Sequence, residues 1–164
     1  MGETDLALIA HLMRRVGFGA TRAELEQYSA KPYEDIVEDL LHPDRFPDVD
    51  DDLIMRYYLE LNNADSVEPW NSRWIYRMIN TQRPLQEKMA LFWHQVFATS
   101  VGKSEHGPSS VEQIETFRRN GLADMKTILI DLAKDPAMLF WLDNNENHKD
   151  TPNENWGREL LELF

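Results

Sequence analysis

Apolar residues recur along this chain with the period of a helix. In residues 4–17, Leu8, Leu12 and Val16 line one stripe, with Ile9 and Met13 beside it. Gly17 is placed as the stop. Thr21-Arg22-Ala23-Glu24 reads as a capping box that opens a short helix to about Tyr28. Pro32 opens another, with Ile36, Val37, Leu40 and Leu41 turned inward, and His42-Pro43 closes it. Residues 43–52 read as a loop carrying Asp44, Asp48, Asp50, Asp51 and Asp52, explained by solvation and by capping of a helix over 53–61. A second loop runs over 62–69. The spacing of Trp70, Trp74, Ile75 and Met78 predicts a helix over 70–81.

The strongest pattern follows Arg83-Pro84. Leu85, Met89, Phe92, Trp93 and Val96 form the apolar face of a helix over 84–98, a core stripe rather than a cofactor box. Residues 99–108 hold two glycines and read as a mobile loop. Ser110-Val111-Glu112-Gln113 is a second capping-box pattern, opening a helix that turns Ile114 and Phe117 inward and ends near Gly121. Further helical segments cover 122–134, 136–142 and 154–164. No stretch alternates apolar and polar residues in the manner of a strand. The expectation is an all-α protein: an irregular multi-helix bundle of about eight or nine helices, with residues 1–164 forming a single helical domain. No internal repeat stands out.

Composition narrows the function classes. The chain has 29 Asp+Glu against 17 Lys+Arg, a formal charge of −12, and no Cys. That excludes disulfides, thiolate metal sites and a cysteine nucleophile. The acidity argues against a nucleic-acid partner, which needs a basic patch. No apolar run approaches the ~20 residues of a membrane span. The N-terminus is acidic and its apolar stretch is broken by His11, Arg14 and Arg15, so no secretory signal is visible. The chain reads as soluble, with no visible address.

Candidate chemistry concentrates in residues 143–154. Laid on a calcium-binding loop of the EF-hand kind, Asp143, Asn145 and Asn147 fall at the first, third and fifth positions, Thr151 at the ninth and Glu154 at the twelfth. His148 stands where that loop requires Gly, and Pro152 stiffens the approach to Glu154. The simpler reading is an Asx-rich connection in which Asn153 caps the next helix and Glu154 pairs with Arg158. On that helix Glu154, Arg158 and Glu162 form one charged stripe, and Asn155, Glu159 and Glu162 a neighbouring one. Such carboxylates can chelate a metal or share a proton, but more often face solvent. His94, flanked in helical space by Ala90, Leu91, Phe97 and Ala98, is the best single buried candidate. No serine has the context of a hydrolase nucleophile, and Gly17-Phe18-Gly19 is too short for a phosphate loop.

Three segments carry a family resemblance. They are His11 to Thr21 (HLMRRVGFGAT), Arg83 to Ser100 (RPLQEKMALFWHQVFATS), and Asp135 to Leu139 with Leu142-Asp143-Asn144 and Pro152 to Phe164 (PNENWGRELLELF). Together they resemble the bacterial domain-of-unknown-function 1800 family. The resemblance implies a longer chain continuing past the Glu-Leu-Leu-Glu-Leu-Phe helix, so 1–164 is expected to be the N-terminal portion of the family domain. It also implies export in many members, and a partner of the domain-of-unknown-function 1501 family. Gly157 stands where an alanine-like residue is expected. The family name carries no established reaction.

Three functional readings follow. The first is a binding or assembly module, in which Arg83, Glu87, Asp143, Asn153, Glu154, Arg158 and Glu159 form a polar cluster. The second is a metal-dependent enzyme, perhaps a hydrolase, gathering His94, Asp143, Glu154 and Glu159 around a divalent ion. The third is a calcium-stabilised loop without catalysis, using Asp143, Asn145, Asn147 and Glu154.

Overall fold

The structure is a computed structural model and describes residues 5–57, 67–104 and 106–162. Among the described residues it is all-α, with no β-strand and eleven α-helices, eight of them of seven residues or more. They are α1 (Leu6–Val16), α2 (Arg22–Ser29), α3 (Tyr33–Leu41), α4 (Asp52–Tyr57), α5 (Glu68–Asn80), α6 (Pro84–Val96), α7 (Val101–Ser104), α8 (Gly107–Asn120), α9 (Met125–Leu132), α10 (Pro136–Trp141) and α11 (Asn155–Glu162). Short 3-10 turns lie at Pro43–Arg45 and Asn144–Glu146. The predicted end of the fourth helix, 58–61, falls outside the described residues.

Most of the local grammar operates as the residue types dictate. Thr21 and Glu24 form the reciprocal capping box. Asp5, Asp124 and Asp135 each accept a first-turn N–H, at the starts of α1, α9 and α10. Gly17 ends α1 with an extended backbone rather than a left-handed one. Its reason is packing: a Cβ there would meet Pro84 Cβ at 2.9 Å, where the end of α1 meets the start of α6.

Two predicted boundaries move. Residues 99–108 contain the short helix α7. The following helix starts at Gly107, not Ser110. His106 caps it, its Nδ1 accepting the Ser109 N–H at 3.3 Å. The Ser110 pattern therefore lies inside the first turns of α8, where its hydroxyl has no capping work to do.

Two apolar clusters hold the bundle together. One joins α1 and α3 through Ile9, Leu12, Met13, Ile36 and Leu40, with Leu85 of α6 packed against it. The other joins α6, α8, α9 and α10 through Ala90, Phe97, Phe117, Ile128, Leu132, Met138 and Leu142. Trp93 stacks on Phe97 at 5.5 Å, and Phe97 on Phe117 at 6.1 Å. Helix α6 thus serves both clusters. It also carries Glu87 and His94, the two residues around which the site is organised.

Candidate functional site

Helix α5 repeats two residue types at a spacing of four: Trp70 and Trp74, and Arg73 and Arg77. One turn separates the members of each pair, so both point to the same side of the helix. That side faces α6 and α8.

Glu87 of α6 is 1% exposed, and Arg77 and Arg118 are 3% and 5% exposed. Arg118 grips Glu87 with a two-pronged fork, Nε to Oε1 at 2.7 Å and Nη2 to Oε2 at 3.1 Å. Arg77 Nε donates to Oε1 at 3.1 Å, and the Trp74 indole N–H to Oε2 at 3.1 Å. Four donors thus satisfy this buried carboxylate. The arginines are compensated in turn. Arg77 Nη1 donates to Asp51 Oδ2 at 2.7 Å, and Nη2 to Asp48. Arg73 bridges Asp51 at 2.5 Å and Glu115 at 3.0 Å, while Arg118 Nη1 pairs with Glu115. Burial raises the Glu115 pKa, but its pairs with Arg118 and Arg73 outweigh this and hold the carboxyl below its ordinary value.

A cavity of about 130 Å³ adjoins this network. Trp70, Arg73 and Trp74 of α5, His94 of α6, and Ser110, Ile114, Glu115 and Arg118 of α8 line it, with Thr99 and Val101 closing the α7 side. His94 meets Trp74 edge to face, ring centres 5.5 Å apart. Burial holds the His94 pKa below its ordinary value, so the imidazole is neutral at pH 7. Besides Arg118 Nη1, which is ion-paired with Glu115, three buried polar atoms of lining residues have no hydrogen-bond partner: Trp70 Nε1, His94 Nδ1 and Ser110 Oγ. The two indoles therefore differ. Trp74 donates to the ion network, whereas the N–H of Trp70 remains free.

The oxygen-rich stretch has a different geometry. Asp143, at φ 56°, is the one non-glycine residue with positive φ among those described. Its carboxylate pairs with Lys103 of α7 at 2.8 Å. Asn147 Oδ1 accepts the Asn153 N–H at 3.0 Å. Asn153 donates to the Leu142 and Asp143 carbonyls and accepts the Asn155 N–H at 2.8 Å, capping the start of α11. Asn155 also donates to the Leu142 carbonyl, at 3.0 Å. His148 and Thr151 close a two-residue bridge. Asn145 and Glu154 are exposed.

Among the described residues, no three of His, Asp and Glu stand together as a group able to hold a metal ion. His94 lies in the cavity wall, Asp143 beside Lys103, and Glu159 is 3.7 Å from Arg158. Members of the expected polar cluster likewise engage separate partners. Arg83 donates twice to the Phe46 carbonyl, Glu87 binds the arginines of α5 and α8, and Asn153 serves the 142–143 backbone. Arg158 reaches Asn155 and Glu159, rather than Glu154.

Arg77, Arg118, Asp51 and Glu115 were not legible as a unit. The available signal was the paired spacing of tryptophans and arginines on α5, which marks a face both aromatic and cationic. The aspartates at 48 and 51 do more than cap and solvate: they bind Arg77 and Arg73.

Fold and site define an all-α protein with an aromatic cavity backed by a buried ion network. No helix among the described residues is long and apolar enough to cross a membrane. The chain belongs to the DUF1800 family: the family's model, described as a protein of unknown function, matches residues 11–164. No curated protein and no solved structure matches it.

Proposed function

We propose that this protein is a binding module whose site is the cavity between α5, α6 and α8. The observation that carries this reading is an aromatic cavity whose lining residues Trp70, His94 and Ser110 each hold a buried polar atom without a hydrogen-bond partner. Each such group costs about 1–3 kcal/mol when left unsatisfied. A ligand whose entry shifts the lining enough to pair with them recovers that cost. The Glu87 network fixes Trp74 on one side, so the site is shaped before a ligand arrives. The test is a small-fragment screen followed by NMR signals of the Trp70 indole and the His94 imidazole. Fragments that shift both signals support the reading. A screen in which none does refutes it and leaves the cavity to water.

A second reading, assembly with another protein such as one of the 1501 family, is favoured by a separate surface. Leu53 and Tyr57 of α4 and Ile75 and Ile79 of α5 line one groove and are each more than half exposed. Replacing Ile75 and Ile79 by Glu tests it in co-purification with the 1501-family protein. Equal recovery with the variant and the wild-type chain rejects it.

A further inference from the structure

Helix α5 is inverted with respect to the usual arrangement of a helix in water. The side turned to α6 and α8 carries Arg73 and Arg77, whose charges are met by Asp48, Asp51, Glu87 and Glu115. The opposite side carries Ser72, Ile75, Tyr76 and Ile79, at the spacing of a single helical stripe. Ile75 is 56% exposed and Ile79 76%. A stripe of this kind ordinarily packs into a core; turned outward, it marks an interaction surface. The inference here rests on the reading of the α4–α5 groove as an assembly surface, and concerns what covers it. Shape, charge and area bear on the occupant.

The stripe is a ridge between two grooves. One, of about 770 Å³, has Leu53 and Tyr57 of α4 on its far side. The other, of about 640 Å³, has Met13, Phe18 and Ala20 on its far side. Ile75 and Ile79 line both. A patch with a ridge beside a groove is complementary to its own image. Turned about a two-fold axis, the ridge of each copy enters a groove of the other.

A two-fold contact also sets each charge against the same charge of the second copy, so the patch must carry little unbalanced charge. Among the described residues, no charged side chain lines the α4 groove, and Glu24 alone lines the other. Glu24 is held by the N–H and the hydroxyl of Thr21, at 2.6 and 2.7 Å. At the edges, Asp52 pairs with Arg56 within α4, and Lys88 lies 5.1 Å from the centre of the Phe18 ring. On a chain of net charge −12, this face offers little to attract a basic partner.

The area is sufficient. Phe18, Leu53 and Tyr57 are 44%, 52% and 79% exposed and join the two isoleucines. At about 200 Å² for a large side chain, the open surface of the five is on the order of 600 Å². A stable dimer buries about 800 Å² on each copy, roughly 60% of it apolar, which asks for about 500 Å².

We propose that the outer face of α5 is the two-fold interface of a homodimer, in which Ile75 and Ile79 of each copy enter the groove between α4 and α5 of the other.

Sedimentation of the full chain from about 1 to 200 μM tests this. The wild type is expected to show a monomer–dimer equilibrium, shifted at least about a hundredfold toward monomer in Ile75→Glu/Ile79→Glu. Because the contact is apolar and the two copies repel at long range, added salt should tighten it. The chain has no cysteine, so single cysteines report the geometry and keep the test open should the double variant fold poorly. Ile75→Cys should be joined to a second copy by a short bismaleimide, and Lys126→Cys, exposed on α9 and lining neither groove, should not. A wild-type chain that stays monomeric overturns the proposal. So does a dimer unaffected by the double variant or weakened by salt, or equal cross-linking at both positions. In any of these cases, loss of the 1501-family protein from the double variant on co-purification keeps the groove as an assembly surface for that partner. Equal recovery removes both readings.

Discussion

Two regions of this molecule are built from the same polar side chains and do opposite work. Around Glu87, carboxylates and arginines from four segments meet in the interior, and all but the Arg118–Glu115 pair within α8 join different elements. Between Asp143 and Asn155, the amides turn on their own neighbours, within about one loop of chain, and only the Asp143 carboxylate reaches outside, to Lys103 of α7. The first region ties α5, α6, α8 and the 48–51 segment into one arrangement. The second shapes a connection and starts a helix. Chemical richness in a sequence window therefore says little about function until the partners are known. The window dense in oxygens closes largely on itself, whereas of the sparse residues Arg73, Arg77, Glu87 and Arg118 the first and last line the cavity and the other two are bound to the same ion network.

This contrast is open to measurement. Glu87→Gln removes the carboxylate and leaves Arg77 and Arg118 buried with reduced compensation. The expected loss is about 3–5 kcal/mol of stability, read by urea unfolding. A loss below about 1 kcal/mol, the range of exposed ion pairs, would erase the distinction between the two regions. Acid titration probes the same network. Glu115 has a folded pKa below its ordinary value of 4.5, so its contribution is complete above that value and fades as pH falls through the folded pKa. Thermal midpoints should drop steeply below pH 4.5 in the wild type and less steeply in Glu115→Gln. Identical slopes would remove Glu115 from the account.

In the surface region the effects are smaller. Asn153→Ala removes the cap of α11 and two bonds to the 142–143 carbonyls. The expected cost is about 1 kcal/mol, and unfolding with no change in midpoint would contradict the capping role. Gly157→Ala goes the other way. A Cβ at position 157 meets nothing within 4 Å, so the variant should gain up to about 1 kcal/mol in helix propensity; a lower midpoint would refute this. Lys103→Ala breaks an ion pair whose side chains are 40% and 52% exposed. Its effect should stay within about 1 kcal/mol, and a larger loss by the same measurement would show that α7 depends on this tie.

The helical fold was legible because its signals are local. The period of Leu8, Leu12 and Val16, the Thr21–Glu24 box and the proline at the start of α6 act over a few residues. Asn153 as a cap belongs to the same class. His94 could be singled out because a histidine on an apolar helix face is unusual within its own turn. Its cavity could not, since the lining comes from α5, α6, α7 and α8. The Glu87 network was opaque for the same reason: Arg77 and Asp48 are 29 residues apart, and Arg118 and Glu87 are 31 apart. Periodicity records which face a residue occupies. It carries no record of what the facing element brings.

Helix α6 packs Leu85 against the α1–α3 cluster and Ala90 into the cluster with α8, α9 and α10. A single rod shared in this way couples the two halves in a common unfolding reaction, because neither cluster can lose α6 without exposing apolar surface of the other. The amides of α6 should therefore exchange their hydrogens only through global opening, and protection of this helix would report the stability of the whole bundle. Occupancy of the cavity, sensed by His94 on the same rod, would then slow exchange as far away as the amide of Ile9.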